Sequence, residues 1–229
     1  VFRRVDRSHV VIARDPKFPL EDGMQVVSYV EAEVQGFGED GIDASTARSV
    51  EHFLLSVQGG RFRVGRSSST YVADTHLVPT RVPAEFSGPR LEGTVTVRTA
   101  GKSPGGVYIY TRGVSASPAH TVVGRVIHGI ELVRFAGEGD LFAFRAEPEQ
   151  FDLVGLSLAE AEAVAARRGV SLAADAAEGD RIVVGQTPAT TLEALAGGEV
   201  RLETVPAENV VSITLHEAAA PRSVTIFRE

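Results

Sequence analysis

The stretch AHTVVGRVIHGIELVRFA, residues 119–136, decides how this chain is read. Its first half, HTVVGRVI, is β-branched and reads as a strand, because branched side chains pack well on a pleated surface. Its second half, HGIELVRFA, reads as a short helix opened by Gly129. Upstream, GTVTVRTAG (93–101) alternates with period two, KSPGG (102–106) is a turn, VYIYT (107–111) is a second strand and RGVSASP (112–118) a loop. Downstream, LFAFRAEP (141–148) is strand again. Several short strands at regular turn spacing predict a closed or nearly closed sheet.

Further towards the N-terminus, RFRVGRSSSTYVAD (61–74) reads as strand, basic turn, strand. Residues 75–92, with Pro79, Pro83 and Pro89, are irregular. Val50, Phe53, Leu54 and Val57 recur at i, i+3, i+4, i+7, the stripe of an amphipathic helix. Asp43 or Ser45 is placed to cap its start, and Gly59 and Gly60 to end it in a left-handed turn. Before it, Met24, Val26, Val30 and Val34 fall on one face of MQVVSYVEAEV (24–34), and PKFPLEDG (16–23) is a loop. The first 23 residues read as an N-terminal strand and linker.

The texture changes after Pro148. GLSLAEAEAVAARRGVSL (155–172) is Ala-rich and helical, with Ser157 and Glu160 at capping-box spacing and Gly169 as its stop. DRIVVGQTP (180–188) is a strand, and Thr190 with Glu193 repeat the capping-box spacing. Val211, Ile213 and Leu215 then alternate ahead of Pro221, which suits a first helical turn. This last segment echoes an earlier one: YVEAEV…ASTARSVEHFL and VSITLHEAAAPRSVTIF share a strand, a small-residue loop and Arg-Ser-Val-x-x-Phe.

Composition narrows the function classes. The 229 residues carry a net charge of -7, which argues against nucleic acid and anionic membrane surfaces as partners. With no cysteine, disulfides, thiolate zinc sites and iron–sulfur clusters held by this chain are excluded. No apolar run approaches the roughly 20 residues of a spanning helix, and no leader pattern is present, so a cytoplasmic protein is expected. The chain starts at Val1 inside a strand-like run, and is expected to be a piece of a longer protein. Six scattered His show neither HxH nor HExxH spacing, so no metal site is expected. GFGEDG (36–41) is no phosphate loop, since Glu39 and Asp40 would repel the ligand, and no cofactor is expected.

The echoed strand–helix unit resembles the opening of a cyclophilin. HTVVGRVIHGIELV resembles that family's late strand and helix, and GGVYIY (105–110) sits where its glutamine-bearing strand would be. Residues 151–205 resemble a PASTA-type module. The whole arrangement, with RSSSTYVADT (66–75), is similar to the C-terminal half of the methanogenesis marker protein 3 family. The resemblance implies a mainly β (α+β) fold: a cyclophilin-like antiparallel β-barrel over 24–148 and a small appended α/β module over 149–206. It also implies a terminal strand and helix start at 207–229, returning to complete the barrel. By the same resemblance the chain is an accessory factor of methanogenic archaea, linked to assembly or activation of methyl-coenzyme M reductase.

No catalytic residue comes with that resemblance, and the isomerase chemistry of cyclophilins is not carried over either. Rotating an X–Pro bond means lowering a barrier of roughly 18–20 kcal/mol, which cyclophilins do with an Arg and a Gln. Val64 falls where that Arg would sit. Arg63 and Arg66 are shifted, and a one-residue shift in a strand turns a side chain to the other face. The glutamine strand reads Val107, Tyr108, Ile109, Tyr110, and there is no groove tryptophan; His120 alone matches. Phe62, Arg63, Tyr108, Tyr110 and His120 are therefore candidates for a peptide groove, and Arg66, Ser67, Ser68 and Ser69 for an anion site. Three functions stay open: a non-catalytic factor contacting the methyl-coenzyme M reductase activation machinery, a prolyl isomerase with altered residues, or a small-anion or cofactor binder.

Overall fold

The computed structural model describes residues 2–6, 9–12, 29–38, 41–176, 178–211, 213–216, 219–220 and 223–224. The chain forms two compact units, Val1–Asp152 with Pro188–Glu199, and Leu153–Thr187 with Val200–Glu229. Two N-terminal strands, β1 (Phe2–Asp6) and β2 (His9–Ile12), pair antiparallel. The first unit continues with β3 (Tyr29–Val34), the short pair β4 (Phe37–Gly38) and β5 (Gly41–Ile42), α1 (Ala47–Ser56), β6 (Arg61–Arg63), β7 (Arg66–Ser67) and β8 (Tyr71–Asp74). After the irregular 75–92 segment come β9 (Thr94–Arg98), β10 (Val107–Tyr110), β11 (His120–His128), α2 (Ile130–Phe135) and β12 (Leu141–Glu147).

Eight of these strands form one curled half-barrel sheet in the order β6-β12-β3-β11-β9-β10-β8-β7. Its first and last strands are consecutive in the chain, with only Val64 and Gly65 between them. Three residue steps span at most about 11 Å, so the two edges must come together. The backbone makes the same point. The Val64 amide donates to Asp140 beside β12, Gly139 donates back to Val64, and the next amide, Gly65, donates to Ala73 of β8. Gly65 leaves no room for a side chain there, since a Cβ would lie 2.1 Å from Thr75 Oγ1.

The sheet is not antiparallel throughout: β12 pairs parallel with β3. Strands β11 and β12 flank β3 on either side, and the link between them crosses the start of β3 at Gly129. Gly129 has φ +84, and a Cβ there would sit 2.3 Å from the Tyr29 carbonyl. The crossing reverses the chain, so β12 re-enters alongside β3 in the same direction. Such long-range reversals leave no local mark in the sequence.

Inside the curl lie Val30, Val34, Phe62, Val64, Val72, Val95, Val97, Val107, Ile109, Val123 and Phe144, with Val50, Phe53 and Leu54 of α1 packed on them. The helical stripe read from the sequence is thus the buried face. The cap of α1 differs from the expectation. Thr46 is its N-cap and gives no side-chain bond, while Asp43 accepts from Ser45. The open amides of Arg48 and Ser49 donate instead to the carboxylate of Glu85, at 3.3 and 2.9 Å. A negative charge at this end also suits the helix dipole. Helix α3 (Leu158–Arg168), in the second unit, has the expected capping box between Ser157 and Glu160, and Gly169 ends it at φ 67.

Helix α4 (Thr191–Gly197) falls in the first unit, where Glu51 accepts from its Thr191 amide at 2.6 Å. The expected 149–206 module is therefore divided. Its remainder holds α3 and a three-stranded sheet of β13 (Ser171–Ala174), β15 (Glu199–Pro206) and β14 (Arg181–Thr187), in that order. No strand forms among the described residues of 207–229, and the described strands of the curled sheet come from 29–147. Met24 and Val26 of the expected alternating face, and most of the expected terminal helix, lie outside the described residues.

The crossing at Gly129 can be separated from simple left-handed strain. Gly139 has a similar φ of +87 but open space around it. Gly139→Ala should cost about 1–2 kcal/mol. Gly129→Ala should lose a further 1–3 kcal/mol or so, from the carbonyl clash. Equal urea midpoints for the two variants would show that the crossing is not tight.

Candidate functional site

Alternation on β8, β9, β10 and β11 sorts their side chains onto two faces. Val72, Val95, Val97, Val107 and Ile109 go to the interior. Tyr108 and Tyr110 go to the outer face, where they pack with Ala73, Tyr71 and Val114. The register holds this face together: Tyr108 stands opposite Ala73 and Thr96, Tyr110 opposite Tyr71, and Arg98 opposite His120. The rings meet edge to face, Tyr71 with Tyr108 at 5.0 Å, Tyr108 with His120 at 5.0 Å and Tyr110 with His120 at 6.3 Å. That geometry places the positive ring edge on a neighbour's negative face.

Val114, from the loop after β10, packs against these rings. Arg90 fastens that loop, bridging to Val114 through its backbone. The Arg90 side chain donates from Nε and Nη2 to the Ser115 carbonyl at 2.9 and 2.6 Å, and from Nη1 to Tyr110 Oη at 2.7 Å. The guanidinium lies 5.1 Å from the Tyr110 ring centre, within cation–π range. Tyr108 and Tyr110 are 2% exposed and His120 7%.

His120 Nδ1 is 3.0 Å from Thr96 Oγ1. Burial, followed by the positive charges of Arg90 and Arg98, pushes the imidazole down to about 4. Burial raises the Tyr110 phenol, against the hydrogen bond from Arg90. At neutral pH both rings are therefore uncharged, and the charge on this face is that of its arginines.

Of the five groove candidates, the structure brings Tyr108, Tyr110 and His120 together. Phe62 is on the interior side, stacked on Phe142 at 5.2 Å. Arg63 is exposed on β6, its amide donating to Asp74. The four anion-site candidates also divide. Arg66 pairs with Ala73 and so shares the aromatic face, while Ser67 pairs with Val72. Ser68 and Ser69 line a separate cleft with Thr111, Arg112 and Arg134. Tyr71, Arg90 and Arg98 were not singled out from the sequence. Arg98 was accessible, since alternation with Val95 and Val97 puts it on the tyrosine side; Arg90, in a proline-rich irregular segment, gives no such signal. Among the described residues no three His, Asp or Glu gather as a metal site, and no helix is long and apolar enough to cross a membrane.

These features define a β-rich domain with an aromatic and arginine face on a curled sheet. No known family model matches the chain. It is similar to UPF0288 proteins of methanogenic archaea: 35% identical over 215 residues to that of Methanosarcina barkeri, covering 93% of this chain and 40% of the relative. The Methanopyrus kandleri protein is 36% identical over 211 residues, covering 91% and 39%, and the Methanothermobacter thermautotrophicus protein 32% over 228 residues, covering 98% and 42%. The chain thus spans about two fifths of the length of the curated relatives it matches. Among solved structures, an uncharacterized B. cereus protein aligns with TM-score 0.38 at 14% identity, over 51% of this chain and 33% of that one. A conserved Enterococcus faecalis protein of unknown function aligns with TM-score 0.38 at 16% identity, over 52% and 30%. Both likenesses are too slight to bear on the fold.

The buried neutral imidazole has a pH consequence. The folded pKa of His120 lies below its ordinary 6.5, so the unfolded chain takes up the proton first. The stability tied to this ring is complete above about pH 6.5 and is lost as the pH falls towards 4. Urea unfolding across that window should show falling stability, with a shallower fall in His120→Gln. An undiminished slope in the variant would place its origin elsewhere, and His52, also lowered by burial, is the next ring to test.

Proposed function

We propose that this chain is a peptide-gripping, non-catalytic part of an accessory protein of methanogenesis, of the methanogenesis marker protein 3 type. It acts through protein contacts in assembly or activation of methyl-coenzyme M reductase. One observation carries the reading: Tyr71, Tyr108, Tyr110 and His120 gather on the outer face of a curled sheet, with Val114 of a loop packed against them. Tyr71 keeps part of its ring accessible while Tyr108, Tyr110 and His120 are buried behind it, so Tyr71 is the ring a partner would meet. The mainly β, curled eight-stranded sheet, and relatives that come from methanogens, support it.

Immobilised chain should enrich the reductase subunits or their activation proteins from methanogen extract, identified by mass spectrometry. The half-buried Tyr71, replaced by Ala in an otherwise folded variant, should lower that recovery several-fold. Equal recovery by both forms would refute the aromatic face as the contact.

One observation favours a second reading, a prolyl isomerase with altered residues. Arg66 shares its face with Ala73, whose other neighbour is Tyr108, so a guanidinium stands on the aromatic side. This reading expects accelerated cis–trans exchange of X–Pro peptides by NMR, abolished in Arg66→Ala. Exchange at the uncatalysed rate would leave only the binding reading.

A further inference from the structure

We infer that a groove beside β12 takes up a short extended peptide as an added strand, one that carries a basic side chain. The groove lies in the first unit and is independent of the aromatic face. It begins where two neighbouring strands differ in length. β12 runs from Leu141 to Glu147, but its partner β6 pairs only with Leu141, Phe142 and Ala143. The ladder continues for one more bond, from the Phe144 amide to the Gly60 carbonyl at 2.9 Å. There it stops, because the Gly60 amide turns back to the Val57 carbonyl at 3.0 Å. Gly59 and Gly60, at φ +83 and +70, hold that turn.

Peptide groups alternate in direction along a strand, so the Phe144 carbonyl and the Ala146 amide point to the same side as the Phe144 amide. Among the described residues neither has a backbone partner there. They are an acceptor and a donor at strand spacing, the pattern onto which a further strand is added. The other side of β12 is closed by β3, from Ala143 to Glu147. The open stretch lies in a cavity of about 460 Å³, where Leu54 and Val57 from the end of α1 join Phe144 as apolar lining. Beyond Pro148 the chain closes the far end, with Gln150 Nε2 donating to Glu51 of α1 at 2.7 Å. At about 3.3 Å per residue, such a stretch admits about three or four extended residues.

Charge selects among such segments. Glu149 and Asp152 are exposed on the rim of the cavity. Arg145 also lines it, but its guanidinium lies 4.5 Å from the ring centre of Tyr29 on β3, on the opposite side of β12 from the open edge. The rim at the open edge is therefore acidic, which favours a lysine or arginine in the incoming segment.

A capped peptide alternating Val with Lys serves as the probe, and one with Glu in place of each Lys as its control. In NMR of the isotope-labelled whole chain, the Lys peptide should bind saturably and slow exchange of the Ala146 amide at least about tenfold. An added strand uses one row of its own amides. N-methylation of alternate peptide residues should therefore weaken binding about tenfold for one row and leave it unchanged for the other. The Glu peptide should bind several-fold more weakly than the Lys peptide, and Glu149→Gln combined with Asp152→Asn should remove that difference. Near-UV circular dichroism confirms that this variant is folded. Equal losses from both methylated peptides, or an Ala146 amide unprotected at saturation, overturn strand addition. Equal binding of the Lys and Glu peptides overturns the basic assignment. An Ala146 amide already protected in the free chain overturns the peptide assignment: it gives the groove to a second copy if the chain sediments as a dimer, and to a segment of this same chain if it sediments as a monomer.

Discussion

Val64 and Gly65 are neighbours in the chain whose backbone bonds go to opposite edges of one sheet. Their two amides carry the ladder from the β12 side to β8 in a single step. Everything else about the first unit follows from that seam. Because β6 and β7 cannot separate, the intervening strands must curl, and curling divides each of them into an inward and an outward face. The inward face is filled with valine and phenylalanine and is closed by α1. The outward face of β8, β9, β10 and β11 is then free to carry the tyrosines, Thr96 and His120.

The outer face is chemically unlike the interior behind it. The interior needs only apolar volume, and its phenylalanines stack or tilt against one another. The outer face couples ring contacts to polar ones: Thr96 to His120, Arg90 to Tyr110 and Ser115. Burial keeps its titratable rings neutral, so guanidinium groups alone set the sign of its field.

What the sequence disclosed was local. The α1 stripe from Val50 to Val57, the glycine pair after it, the Ser157–Glu160 capping box and the strand-to-helix passage at Gly129 each depend on residues within a turn or two. The alternation of Tyr108 and Tyr110 put them on one face, and His120 joined them. What stayed hidden depends on partners far along the chain. The cap on α1 comes from Glu85, 36 residues beyond the Ser49 amide. The parallel pairing of β12 with β3, the division of the 149–206 segment and the separation of Phe62 from the tyrosines are likewise products of how the sheet closes. A strand pattern tells which residues share a face; it does not tell which of two faces becomes the inside.

The irregular segment that contains Glu85 and Arg90 has a mechanical consequence. Its residues are fixed at both ends and in the middle: Glu85 to the start of α1 and to Thr121, Phe86 to Val122, Arg90 to Ser115. With Pro83 and Pro89 stiffening it, it behaves as a strut between the plug of the curled sheet and the loop packed on the aromatic face. A pull at Ser115 would reach the first turn of α1 through the six residues from Glu85 to Arg90.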